Sequence, residues 1–206
     1  MARAVDSVRQ THAELEPAAS ARAQPAHPFI PFGLALLLIT CSIWSIDVIS
    51  PVLPEITDAF GLSAKSAGLI VSFLFIGRLI GNLPAVGLLE RYGAPRTATF
   101  GGMLLGLGAV TNMLAPNVEA LYLGRGLQGV GVALLVNAGL RSILVARPGR
   151  GAAMTQYGLA STMGSVLALV SSGVIAGNAG WRAVFVLATA LGVALTLLPL
   201  VGTRVT

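Results

Sequence analysis

The sequence predicts an all-α integral membrane protein with six transmembrane helices, and three observations predict it. Hydrophobic residues make up 55% of the 206 residues and charged residues only 10%, with a mean hydropathy of +0.83. A soluble domain carries about 25% charged residues. The apolar residues fall into runs of roughly 20, the length at which a helix rising 1.5 Å per residue crosses about 30 Å of hydrocarbon. Basic residues gather in alternate connections between those runs, as they do in multi-pass proteins.

The runs lie at roughly 30–54, 64–88, 97–115, 118–142, 152–176 and 181–200. Ahead of them, residues 1–28 are rich in Ala, mixed in charge and punctuated by Pro17, Pro25 and Pro28. That composition has too little apolar content to pack, so a disordered cytoplasmic tail is expected. It lacks the apolar core of a signal peptide, which leaves the first span to direct insertion. Residues 29–202 are expected to form one transmembrane domain, followed by a short cytoplasmic end, 203–206.

Orientation follows from Lys and Arg, which stay on the cytoplasmic side in short loops. With the N-terminus inside, that side holds Arg3, Arg9, Arg22, Arg91, Arg96, Arg147, Arg150 and Arg204, with Arg141 near the boundary. The outer loops keep only Lys65 and Arg182, beside Glu55, Asp58 and Glu119. Both termini are therefore expected in the cytoplasm, with the chain spanning the inner membrane. On this reading the net charge of +5 reflects topology, and no nucleic-acid partner is expected.

The inventory also narrows the chemistry. The single cysteine, Cys41, lies in the first span and reads as a small packing residue, so no internal disulfide and no metal site are expected. The only histidines, His12 and His27, fall in the tail, which excludes a Ser-His site within the membrane. No phosphate-cradling loop is present. The expectation is a non-enzymatic protein without a cofactor.

A charge near a helix centre costs about 2.5–3.5 kcal/mol on insertion scales, so intramembrane polar residues mark partners, wet cavities or function. Asp47 is the only acid inside any span, in the segment Trp44-Ser-Ile-Asp47-Val-Ile-Ser-Pro51-Val-Leu-Pro54. Its prolines remove backbone donors and loosen the helix near the outer mouth. Asp47 precedes Pro54 by seven residues and Arg125 follows Val118 by seven, which places both roughly 10 Å below the outer surface. A guanidinium there favours the ionised carboxylate while desolvation favours the neutral acid. Two roles stay open for the pair, a proton-coupling site and a structural ion pair. Trp44, Arg78, Asn82, Gln128, Asn137 and Gln156 are the candidate lining of a substrate cavity, and interhelical hydrogen bonding is the alternative for Asn82 and Asn112. Arg78 lies about 10 Å deeper than Asp47, and no partner for it is evident.

Two motifs carry a family resemblance. The segment Gly87-Leu-Leu-Glu90-Arg91-Tyr-Gly93-Ala-Pro-Arg96 resembles the signature loop between the second and third helices of major facilitator superfamily transporters. Arg125-Gly-Leu-Gln128-Gly129-Val-Gly131 is similar to the signature of that family's fourth helix. Gly93 is suited to a left-handed turn, and Arg91 and Arg96 hold the loop in the cytoplasm. Gly87, Gly93 and Arg96 are echoed by Gly173, Gly180 and Arg182, consistent with a 3+3 inverted repeat, one half of the family's fold.

The resemblance implies roles for several of these residues. Asp47 before its P-x-L-P segment looks like the acid of drug:proton antiporters, and Arg125 would take part in proton transfer. The loop acid would hold two six-helix halves together, here as Glu90 where Asp is usual. The span-five signature departs, with Ala168-Leu169 in place of Gly-Pro and Ser172-Gly173 in place of Gly-Gly, although Gly180-Trp181-Arg182 matches. The leading expectation is the N-terminal half of a proton-coupled small-molecule transporter, with efflux favoured. Its partners would be lipid, protons, a small-molecule substrate and a second six-helix half. The alternatives are a natural half-size protein acting as a homo- or hetero-dimer, and a truncated product that does not transport.

Overall fold

The computed structural model describes residues 29–146 and 149–202. The tail 1–28 with its histidines and arginines, Arg147, and the end 203–206 lie outside the described residues. Six helices follow in order: α1 (Phe32–Asp47), α2 (Leu53–Phe60), α3 (Ala64–Met113), α4 (Val118–Ala146), α5 (Arg150–Ala179) and α6 (Trp181–Gly202). No strand occurs among the described residues. By length and composition, α3, α4, α5 and α6 can each cross a membrane.

The first expected span is interrupted. α1 ends at Asp47, residues 48–52 form turns, and a separate helix begins at Leu53. The cause is Pro51, which has no N–H to offer the Asp47 carbonyl. Ser50 N–H takes that carbonyl instead, at 3.1 Å, in a tighter turn. Pro54 then sits in the first turn of α2, where a missing donor is harmless. α1 is thus 16 residues long and rises about 24 Å, less than the single helix to residue 54 that the apolar run predicts.

Spans two and three are joined more tightly than the expected loop. Both run helically up to Gly93, which alone in α3 leaves helical geometry, at φ 76° and ψ 171°. Gly87–Arg96 is therefore a helical corner, with Gly93, Ala94 and Pro95 buried and Glu90, Arg91 and Arg96 exposed. A positive φ of this kind is strained for any residue with a side chain. Thr97 Oγ1 donates to the Gly93 carbonyl at 2.8 Å and ties off the second arm. Gly180 turns the chain between α5 and α6 with nearly the same backbone, φ 76° and ψ 165°.

α4 lies at the centre, and glycines let its neighbours approach. A Cβ on Gly77 would strike the Gly126 carbonyl, and one on Gly129 the Leu74 carbonyl, so the first arm of α3 touches α4 backbone to backbone. On the other side Gly101 faces the Gly131 carbonyl and Gly108 the Gly124 carbonyl, which seats the second arm. Close approach through small residues is the usual way for helices to gain dispersion contacts where lipid offers no hydrophobic advantage. α6 lies on the second arm through Gly102 and Gly106, leaving an apolar groove of about 300 Å³ between the two helices. α1 packs on α5, where Gly164 sits under the Thr40 carbonyl and Thr40 Oγ1 donates to the Ala160 carbonyl at 3.2 Å.

α2 is a bracket for α6. Glu55 Oε1 accepts the Trp181 N–H at 3.1 Å, placing a carboxylate at the α6 N-terminus, where the helix dipole favours it. The Phe60 and Trp181 rings lie 5.8 Å apart, and the Arg182 guanidinium lies 4.3 Å from the Trp181 ring centre.

Gly129→Val should lower stability by about 2 kcal/mol or more, because its Cβ meets backbone that cannot move aside. Gly87→Ala, whose Cβ meets open space in a helix, should be neutral or stabilising by up to about 1 kcal/mol. Thermal unfolding of the detergent-solubilised chain reads both, and equal effects would refute the packing account. Glu55→Ala should cost about 0.5–1 kcal/mol in the same assay, falling with added salt.

Candidate functional site

The break after Asp47 generates the site. The last carbonyls of a helix have no N–H ahead of them within the helix, and here Ser50 N–H has turned to Asp47 instead of Ile46. Arg125 from α4 takes the vacancy. Its Nη1 donates to the Ser45 carbonyl at 3.1 Å and its Nη2 to the Ile46 carbonyl at 3.1 Å. The planar fork of a guanidinium suits two neighbouring carbonyls in a way that a lysine cannot match. Arg125 is wholly buried, and its Nη1 also donates to Gln128 Oε1 at 3.1 Å. Asn112 Nδ2, from the second arm of α3, donates to the same oxygen at 2.9 Å.

Arg125 reaches the carbonyls of the two residues before Asp47, but no ion pair joins it to Asp47 among the described residues. The fork is engaged by carbonyls that the helix break leaves free, and the half-buried Asp47 carboxyl turns to α5, where Oδ2 accepts from Ser165 Oγ. The buried guanidinium nevertheless sits on the carbonyl of Ile46, the residue next to Asp47. Trp44 is buried, with its indole N–H donating to Ser171 Oγ at 2.9 Å. Three side-chain bonds thus stitch α1 to α5, at Thr40, Trp44 and Asp47.

Ser165 and Ser171 read in the sequence only as small residues. Each is one of several hydroxyls on α5, so nothing in the sequence singles out these two.

The expected cavity residues do not form one lining. Gln128 is completely buried and Trp44 nearly so, and hence neither presents surface to a cavity. The reason is the bonding just described, which draws both into helix contacts. Asn82 and Asn137 meet across α3 and α4, Asn137 Nδ2 donating to Asn82 Oδ1 at 2.8 Å. Arg78 lies one helical turn before Asn82, half-buried, with no hydrogen bond or ion pair among the described residues. Gln156 stands apart, in a hollow of about 210 Å³ with Leu36, Thr40, Leu159, Ala160 and Met163. At the Gly93 corner, the Arg91 guanidinium lies 5.4 Å from the Tyr92 ring centre, and Gly87 faces open space.

Apolar helices packed through glycines around a buried guanidinium define a multi-pass helical membrane protein. The sequence profile of the Major Facilitator Superfamily matches residues 35–205, and the chain belongs to that family of transporters. It is 33% identical over 140 residues to the arabinose-proton symporter of Escherichia coli (strain K12), covering 67% of this chain and 30% of the relative. It is 31% identical over 160 residues to the lincomycin resistance protein of Streptomyces lincolnensis, covering 75% of this chain and 32% of the relative. It is 30% identical over 173 residues to the puromycin resistance protein pur8 of Streptomyces alboniger, covering 81% and 34%. The chain therefore spans about a third of the length of these curated relatives.

If the fork caps α1, Arg125→Leu strands two buried carbonyls and should cost about 2–5 kcal/mol. Arg125→Lys keeps the charge and should lose roughly half as much, since one ammonium serves the carbonyls less well. Unfolding midpoints of both variants in detergent decide this, and a leucine variant as stable as the original would refute the cap.

Proposed function

We propose that this chain is the N-terminal half of a proton-coupled transporter of small molecules, with Asp47 as the group that takes and releases the proton. The observation that carries the reading is the setting of Asp47. Asp47, well inside the first apolar run, is half-buried, accepts a hydrogen bond from another helix, and lies beside carbonyls that hold a buried cation. In such a place desolvation and the neighbouring positive charge oppose each other, so entry of water or substrate shifts the proton equilibrium. A proton on Asp47 also removes the charge that the Ser165 hydroxyl serves, which weakens one of the stitches between α1 and α5. Proton binding and helix separation are then linked.

Family membership and the name of the arabinose-proton symporter support proton coupling, and the resistance proteins support export as the direction. The half-buried Arg78 with the Asn82–Asn137 pair is the substrate-facing group in this reading, because an intramembrane guanidinium with no partner among the described residues calls for a wet or liganded surface. A 3+3 inverted repeat is supported by the matching backbones of Gly93 and Gly180. The contacts agree with it: exchanging the spans of α1 with α4, and the first arm of α3 with α5, turns the α1–α5 contact into the α4–α3 contact. In the complete transporter, Glu90, Arg91 and Arg96 at the Gly93 corner face the cytoplasm and meet a second six-helix half in the inner membrane.

Asp47→Asn in the complete transporter, reconstituted in liposomes, should reduce transport driven by a pH gradient at least tenfold. Exchange without a gradient should persist. Arabinose, lincomycin and puromycin are the probes with which to begin. Gradient-driven transport at the original rate would show that Asp47 does not carry the proton.

A further inference from the structure

Asn112 is wholly buried on the second arm of α3, and among the described residues its side chain bonds neither Asp47 nor the carbonyls capped by Arg125. Its amide nevertheless reaches the site through one shared atom. Gln128 Oε1 accepts from Asn112 Nδ2 at 2.9 Å and from Arg125 Nη1 at 3.1 Å. The other polar atoms of this cluster do little to hold it, since Gln128 Nε2, Arg125 Nε and Asn112 Oδ1 have no partner among the described residues. The orientation of the Gln128 amide is thus set by what donates to Oε1. Arg125 Nη1 is also committed to Ser45, which leaves Asn112 as the donor whose main task is to fix that oxygen.

The backbone is shaped around this pair. A Cβ on Gly124 would collide with Asn112 Oδ1, and a Cβ on Gly108 would come within 2.8 Å of Gln128 Cγ and 2.7 Å of Gln128 N. Two glycines on adjoining helices therefore make the room in which the amides meet. Neither amide can move far without striking backbone, which makes the relay from Asn112 to Gln128 to Arg125 stiff.

We propose that Asn112 is a positioning residue: by holding Gln128 Oε1 it aligns the Arg125 fork on the Ser45 and Ile46 carbonyls, next to Asp47. Where Asp47 is the proton carrier, an inference that rests on the function proposed above, Asn112 tunes the coupling site without a bond to Asp47 itself. The relay spans three helices, so a displacement of the second arm of α3 against α4 is felt at the end of α1.

Nitrogen-15 NMR of arginine side chains in the full 206-residue chain, embedded in lipid nanodiscs, tests the positioning without any transport. Arg125→Lys assigns the Arg125 Nη signals by their loss. Held on two carbonyls and an amide, the Arg125 Nη protons should rotate and exchange slowly. In Asn112→Leu, of similar size but without a donor, exchange should rise at least tenfold. Asn112→Ser, too short to reach Gln128 Oε1 and adding no bulk, should do the same and serves if the leucine variant does not accumulate. Exchange within twofold of the original in a folded variant overturns the proposal. A separate arm measures the pH profile of the complete transporter with Asn112→Ser. Faster Arg125 exchange together with an unmoved pH midpoint upholds the positioning and refutes the coupling reading alone.

Discussion

A helix that stops inside an apolar bundle leaves carbonyls that neither lipid nor the helix itself can satisfy. That constraint organises the centre of this protein. Pro51 stops α1 at Asp47, and Arg125 reaches across from α4 to take the freed Ser45 and Ile46 carbonyls. A buried guanidinium is unfavourable unless its donors are used, and a broken helix end is unfavourable unless its acceptors are used. Each defect answers the other. The consequence for chemistry is that Arg125 is anchored to backbone, which leaves the carboxyl of Asp47 bonded to Ser165 of α5 and partly exposed.

The anchor depends on how closely the helices approach. α4 carries glycines toward both arms of α3, and their bare backbones bring Gly126 against Gly77, Gly129 against Leu74 and Gly131 against Gly101. Without that approach Asn112 would not reach Gln128. The same small residues that give dispersion contacts also set the reach of the polar chain through the bundle, so packing and site geometry are one problem here. Beyond the break, α2 and its Glu55 tie the following segment to the start of α6. The chain that leaves the broken helix is thereby held rather than loose.

Much of this was legible one residue at a time. The six apolar runs gave the helices to within a few residues at most ends, because about 30 Å of hydrocarbon demands a fixed length of helix. Asp47 and Arg125 were placed near one depth by counting helical rise from Pro54 and Val118; the guanidinium does reach the Ile46 carbonyl beside Asp47, although the stretch from Asp47 to Pro54 is not the continuous helix that the count assumed. The prolines after Asp47 announced a loosened helix, although the complete stop and the separate α2 were not anticipated. Gly93 was read as a left-handed turn and has φ 76°, but the ten-residue loop around it proved to be helix on both sides. Ser165 and Ser171 were read only as small residues that let helices approach, because the hydrogen bond of a helical serine has no signature until its partner is known.

The sequence by itself determined the solvent in which this protein folds, the number of apolar runs, their approximate ends, and the few polar residues that must be accounted for. These are local properties, set by hydropathy, helical rise and backbone donors along the chain. Only the tertiary structure decided which partners those polar residues have: Arg125 on carbonyls and not on Asp47, Gln128 in the core and not in a cavity, Asn112 on Gln128. Pairing depends on how helices are rotated and how closely they approach, and that is fixed by contacts between residues far apart in the chain.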